Sequence, residues 1–402
     1  MSLRERLSER IANASTSSGT IFETYGFRRN PFPPSSQTNG NPHAPTAANE
    51  VIDQRIVSFM RDHRSQVVVV EGSQGVGKTN LLNYYEQELT EILSETEGFY
   101  LVRYLSDPEA SFDSTLRRLM QEFDVSRLIE LGEALSEDEG VIEEAKGREM
   151  RIALHALATG MSDASEEDSY DVANAFWEWL QGLRILNRHR ELLGVQFRLD
   201  TLESRTLAFR DLVFVSSKAK KLSGIFLLLD ELEKQDGTLS ATQVVRYLSA
   251  MRAIIDALPE HLFMLLAITP DALRRYSVAL PAFRSRLQDK VELEALSDAD
   301  EALNLAHFYI SEAKREGQAS TSRSKASETT PILSDDDITS LFDKLYETAG
   351  GRGDNGLRQR EFLHALHLLA EQRIQSLLAN ERDENKAKTS RRTTRRKPSD
   401  LK

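Results

Sequence analysis

Eight residues, Gly72-Ser73-Gln74-Gly75-Val76-Gly77-Lys78-Thr79, constrain this chain more than any others. They fit G-x-x-x-x-G-K-[ST] in full. Before them stands the apolar β-branched run Val67 to Val70, and after them a segment with helical spacing through Leu81, Leu82, Tyr85, Leu89 and Ile92. Glycines let backbone N–H groups close tightly on an anion, and a helix start adds positive potential. The strand, loop and helix are therefore read as a cradle for ATP. Lys78 reaches the β- and γ-phosphates and Thr79 ligates Mg²⁺. An unalternating apolar strand ahead of such a loop is buried on both faces, which requires a parallel α/β sheet.

More of that sheet can be read on either side. Val51 to His63 has helical spacing, Phe99 to Leu105 is a strand, and Phe112 to Phe123 is a helix after the turn at Ser106, Asp107 and Pro108. Strand patterns return at Ile225 to Leu229 and Leu262 to Ile268, separated by a helix around Ala241 to Ala257, and Val291 to Leu293 is strand-like. Between about 125 and 222 the pattern is helical and partly acidic, long enough for four or five helices, and is read as an insertion in the α/β domain. Its cluster Phe176, Trp177, Trp179 and Leu180 reads as core packing. The domains expected are an N-terminal extended segment and linker (1–48, with 30–48 rich in Pro, Asn and Ser), an ATPase α/β domain (49–296), an all-α domain (297–380) and a basic disordered tail (381–402). A Ser/Thr/Lys-rich break at Gln318 to Thr330 is read as a mobile loop, and the last helix as about Arg358 to Asn380.

The strand Ile225 to Leu229 runs into Asp230 and Glu231, at the edge where an open α/β sheet binds ligands. Asp230 is read as the Mg²⁺ acid and Glu231 as the base that polarises water, with Glu233 as a structural or partner-contacting residue. Thr269 ends the strand Leu262 to Ile268 and is either a sensor of the γ-phosphate or the start of a turn before Pro270. Arg284 and Arg286 stand just before Val291 to Leu293; they are read as a finger acting on a neighbouring subunit's phosphates, Arg286 favoured, or else as surface ion pairs. Arg358, at the start of the last helix, is a candidate for the γ-phosphate. His364 and His367 lack a third ligand pattern and read as packing or surface residues; no metal beyond Mg²⁺ is implied.

Composition narrows the setting. No apolar run approaches the roughly 18 to 20 residues a membrane span needs, the N-terminus carries no apolar leader, and there is no Cys, so a cytoplasmic protein without disulfides or thiolate chemistry is expected. The net charge is −12, yet Lys386, Lys388, Arg391, Arg392, Arg395, Arg396 and Lys397 are collected near the C-terminus without an intervening acid. Such a tail is either a solvated end or a salt-sensitive, sequence-independent contact for DNA phosphates.

In this order the elements resemble the AAA+ superfamily of P-loop NTPases from about residue 22 to 380. GSQGVGKT looks like Walker A, LLLDE like Walker B, Thr269 like sensor 1 and Arg358 in NGLRQREF like sensor 2. AFRSRLQDKVELEAL, from Ala282 to Leu296, looks like the segment that in initiator and clamp-loader relatives points at the next subunit. Tyr25 to Phe32 and Asp107 to Phe112 are similar to segments of ExeA- and TnsC-type ATPases, and Trp179 to Glu233 resembles the ATP-binding proteins of BREX-type defence loci. The resemblance implies a parallel sheet with a large helical insertion and a small all-α lid. It also implies ATP and Mg²⁺ as cofactors, homo-oligomers sharing their sites, and action on DNA or on a protein partner. Origin-recognition relatives carry a winged-helix domain after the lid; only about 22 residues follow Asn380 here, so origin-specific binding is not expected.

Overall fold

The computed structural model describes residues 22–23, 25–34, 40–105, 112–162, 165–234, 238–287, 289–320 and 331–394. The chain divides into two units. One is Pro45–Ser73 with Lys78–Leu293; the other is Met1–Ala44, Gln74–Gly77 and Glu294–Lys402.

The larger unit is built on five parallel strands: β1 (Gln66–Gly72), β2 (Phe99–Leu105), β3 (Gly224–Asp230), β4 (Leu262–Ile268) and β5 (Asp289–Leu293), in the order β2-β3-β4-β1-β5. Every residue of β1, β3 and β4 is buried, which is why their sequences are continuous runs of Val, Leu, Ile and Phe instead of alternating patterns. β4 lies between β1 and β3, with Glu71 opposite Ile268 and Leu229 opposite Leu266. That register brings the ends of three central strands to one edge: Gly72 from β1, Thr269 after β4 and Asp230 from β3. Helix α1 (Ala47–Asp62) precedes β1, and α2 (Lys78–Ser94) follows the glycine loop.

After β2 and α3 (Asp113–Gln121) comes the insertion. It contains α4 (Val125–Glu137), a 3₁₀ segment (Glu139–Glu144), α5 (Arg148–Thr159), α6 (Glu166–Leu180), α7 (Asn187–Leu193) and α8 (Leu202–Lys218). Polar caps start three of these helices: Asp124, Ser165 and Thr201 accept the N–H groups of Arg127, Asp168 and Ser204. Phe176 and Trp179 are fully buried with ring centroids 5.9 Å apart in an edge-on arrangement, and Trp179 Nε1 donates to the Phe197 carbonyl at 3.0 Å. Leu128, Leu154, Phe176 and Phe209 share one hydrophobic core with Val69, Leu227 and Leu266 of the sheet, so the insertion is part of the larger unit's core. The unit continues through α9 (Ala241–Ala257), α10 (Pro270–Ala279) and the single turn α11 (Pro281–Arg284).

The smaller unit packs α12 (Ala299–Ser320), α13 (Asp335–Gly351) and α14 (Gln359–Thr394) around its own core. Two expectations change here. The segment before Ala44 is not a connector beside the first domain: Phe22, Phe27 and Phe32 are buried in the lid core with Tyr309, Phe342 and Phe362. Asn30 Nδ2 donates to the His367 carbonyl at 3.0 Å, and the His367 ring bonds the Phe32 carbonyl at 2.7 Å. The three buried aromatics decide where this segment lies. Nor are residues 381–394 a disordered tail, because α14 runs on to Thr394; no Gly or Pro interrupts its sequence, and the first Pro beyond it is Pro398. Residues 395–402, with Arg395, Arg396 and Lys397, lie outside the described residues, as do 321–330 of the expected mobile loop.

Among the described residues no helix is long and apolar enough to cross a membrane.

Candidate nucleotide-binding site

The loop between β1 and α2 depends on its glycines at two points. Gly75 and Gly77 take φ of +87° and +107°, a region closed to most L-residues, so the chain turns back on itself just before the helix begins at Lys78. Lys78 is 7% exposed, and its ammonium donates to the carbonyls of Gly72 at 2.8 Å and Ser73 at 3.1 Å. Val76 is buried and anchors the loop, while Thr79 is the second residue of α2.

The loop tip belongs to the smaller unit. There the Arg360 N–H donates to the Gly75 carbonyl at 3.0 Å, and a Cβ on Gly77 would lie 3.0 Å from Gln359 Oε1. Arg358 bonds Asp354 at 3.1 Å. Gln74, Gly75, Arg358, Arg360, Glu361 and His364 line a cavity of about 330 Å³.

In the larger unit, Asp230 closes β3 and is fully buried. One carboxylate oxygen accepts the Glu231 N–H at 2.9 Å, and the other accepts Arg103 Nη2 at 2.9 Å. Arg103 comes from the middle of β2, opposite Leu228, and lies 3.6 Å from Glu86 on α2. The turn after Asp230 is firmly pinned. Leu232 is buried, its N–H points to the Ala267 carbonyl at 3.4 Å, its carbonyl accepts the buried Tyr276 hydroxyl at 3.0 Å, and Lys234 N–H closes the turn on the Glu231 carbonyl at 2.9 Å.

Glu231 has φ +54°, which costs a non-glycine residue on the order of 1–2 kcal/mol. Its carboxylate meets the Lys234 ammonium at 2.5 Å, with both side chains more than a third exposed. Glu233 lies in the opposite sense, with Oε1 3.9 Å from Lys78 Nζ and Oε2 buried without a hydrogen-bond partner. Burial holds its carboxyl above the ordinary range, against the opposing pull of its own N–H and of Lys78.

Thr269 stands at the N-cap of α10 but makes no side-chain capping bond, so its hydroxyl at the end of the middle strand is not used in starting the helix. Arg284 and Arg286 differ: Arg286 Nε is bonded to Asp256 on α9, whereas Arg284 is exposed with no carboxylate partner among the described residues. Sequence reading missed Arg103 and Asp256. For Arg103 a signal existed, because a lone cation in the apolar strand FYLVRYL needs a buried acid.

No group of three His, Cys, Asp or Glu capable of holding a metal occurs among the described residues. Mg²⁺ does not require one. It is held by one or two protein oxygens together with phosphates and water, and the Thr79 hydroxyl and Asp230 carboxylate would supply oxygen donors of that kind. The residues fit.

The family model for the BREX system ATP-binding protein BrxC/D matches residues 133–377. No curated protein matches. Among solved structures, the ORC2 protein of Aeropyrum pernix is similar in two forms. The ADPNP-ADP complex is 12% identical, covers 84% of this chain and 71% of that one, and has a TM-score of 0.40; for the ADP form the figures are 12%, 83%, 71% and 0.39.

Proposed function

The chain belongs to the family of BREX system ATP-binding BrxC/D proteins, and from that premise and the site's geometry we propose that it is a Mg²⁺-dependent ATPase of the AAA+ type. The observation that carries the reading is the complete loop Gly72 to Thr79 at the end of a buried parallel strand, with a buried lysine at its helix end and a buried aspartate ending β3, one strand further across the sheet.

ATP is held by the loop N–H groups and by Lys78, which exchanges the carbonyls of Gly72 and Ser73 for β- and γ-phosphate oxygens. Thr79 and Asp230 would hold Mg²⁺, whose contribution when bound is to neutralise charge on the phosphates. Glu231, directly after Asp230, polarises the attacking water, Thr269 reads the γ-phosphate, and Arg358 senses the nucleotide. The sites are shared in homo-oligomers, with Arg284 or Arg286 supplied by a neighbour. The oligomer acts as an ATP-dependent motor or switch on DNA, gripped through its phosphates by the cations near the C-terminus. The competing reading is a switch that acts on a protein partner alone, favoured by the acidic body and the large insertion.

The test is equilibrium binding of a fluorescent ATP analogue with Mg²⁺. Lys78→Ala should weaken binding beyond detection while keeping the wild-type circular dichroism spectrum. Wild-type affinity in a folded Lys78→Ala protein would sink the assignment.

A further inference from the structure

We infer that the helical insertion carries a self-association surface: the exposed Phe197 of one chain, with Leu183, Leu186 and the arginines around them, seats on the exposed Tyr170 and its acidic neighbours in a second copy. The contact lies outside the nucleotide site and does not depend on the ATPase reading.

Phe197 is held in solvent by its own backbone. Its N–H donates to Glu149 Oε2 at 3.2 Å, the same oxygen takes the Gln196 N–H at 2.7 Å, and its carbonyl accepts Trp179 Nε1 at 3.0 Å. Val195 and Leu199 on either side are buried, yet the Phe197 ring is 70% exposed. The loop after α6 lies alongside: a Cβ on Gly182 would stand 2.8 Å from the Leu199 carbonyl, and Leu183 and Leu186 in that loop are each about half exposed. Large apolar side chains kept in water on two touching loops mark a contact surface.

Charge says what covers it. Between 181 and 200 the Lys and Arg positions are all arginine, at 184, 188, 190 and 198, against the acids Glu191 and Asp200. Arg188 is tied to Glu178 and Arg198 lies 3.5 Å from Asp200, but Arg184 and Arg190 are exposed with no carboxylate partner among the described residues. Arginines set among aromatic and aliphatic side chains suit a protein partner; leucines do not stack on nucleic-acid bases. The complement stands on the same chain. In the first turns of α6, Tyr170 is 54% exposed beside exposed Asp171, with Glu166 and Glu167 exposed one turn before it. The helix dipole accounts for acids in a first turn, not for exposed aromatic rings at both places. Tyr170 and Trp179, which holds Phe197, are nine positions apart on α6, about 14 Å along its axis. Each surface is therefore left for a neighbour, which makes the contact head-to-tail.

The experiment is sedimentation velocity of the full chain without nucleotide, so that failure of the ATPase reading and failure of this surface are separate results. The wild type should associate as its concentration rises, and less at about 0.5 M than at about 0.05 M salt. Phe197→Ala, Arg184→Glu and Tyr170→Ala should each raise the dissociation constant about tenfold or more while melting as the wild type does. Mixing gives the sharper measurement. A Phe197→Ala chain keeps its acidic surface and a Tyr170→Ala chain keeps its arginine surface, so the mixture should form heterodimers about as tightly as wild-type chains pair. A wild type that stays monomeric at every concentration, single variants that associate as it does, or a mixture no tighter than either variant alone would each overturn the proposal. So would a Phe197→Ala chain that self-associates normally but loses affinity for a single-stranded oligonucleotide, because the surface would then belong to nucleic acid.

Discussion

Replacing Arg103 by Met tests how the site is held together before nucleotide arrives. Arg103 and Asp230 form a nearly buried ion pair, their side chains 12% and 1% exposed, and without the guanidinium Asp230 keeps only the Glu231 N–H as donor. Removing one partner of a buried pair strands the other charge and costs about 3–5 kcal/mol. For a folded unit of this size, at about 2–4 °C per kcal/mol, that is a fall in Tm of roughly 6–20 °C. Asp230→Asn should be destabilising as well, since it leaves Arg103 with only Glu86 and Asn83 nearby. The double variant Arg103→Met/Asp230→Asn should be more stable than the sum of the singles predicts, by about 1–3 kcal/mol, because its two buried charges are gone together. Thermal unfolding of the four proteins, followed by circular dichroism without nucleotide, completes the cycle. An Arg103→Met protein melting within about 2 °C of wild type, or strictly additive singles, would refute the claim that Arg103 is the counter-ion of buried Asp230.

Two further outcomes follow from the site and the charge distribution. Because Arg286 is tied to Asp256 and Arg284 is not, Arg284→Ala should slow hydrolysis about 10³-fold with ATP binding intact, and Arg286→Ala should cost less. Mixing Arg284→Ala with Lys78→Ala subunits should restore part of the rate, and no recovery in demonstrably mixed oligomers would exclude a shared site. A chain ending at Asn380 lacks nine cations, the seven from Lys386 to Lys397 together with Arg382 and Lys402, and each cation that contacts a phosphate contributes about 0.9 to the log–log salt slope. Full-length protein should therefore bind duplex DNA with the steeper salt dependence; equal slopes would remove the C-terminal cations from any DNA contact.

The strands of the sheet were legible because burial on both faces writes itself as unbroken apolar runs, and β2 and β4 fall where the sequence puts them. The glycine loop was legible because its pattern encodes a backbone path. The partnership of the N-terminal aromatics with the lid was not, since it joins residues more than 300 positions apart and local pattern carries no address for the partner. Apolar spacing marks the last helix only to about Asn380, where charged residues take over, but helix propensity continues where an apolar face stops and the helix runs on to Thr394. The acids after Asp230 could be found but not sorted. Their directions depend on a left-handed residue and on bonds from Tyr276 and Ala267, which a spacing rule cannot anticipate.

The place of Phe22, Phe27 and Phe32 in the lid core sets a schedule for biosynthesis. Asn30 and Phe32 bond to His367, and Asn30 is separated from it by 337 residues. At about 5–20 residues per second, a ribosome needs roughly 15–70 s to make that partner after the aromatics emerge. The larger unit, whose chain is complete at Leu293, can close during this interval, while Phe22, Phe27 and Phe32 wait for α12 to α14. Chaperones that shield apolar segments of nascent chains therefore have a defined client here, the segment that carries Phe22, Phe27 and Phe32.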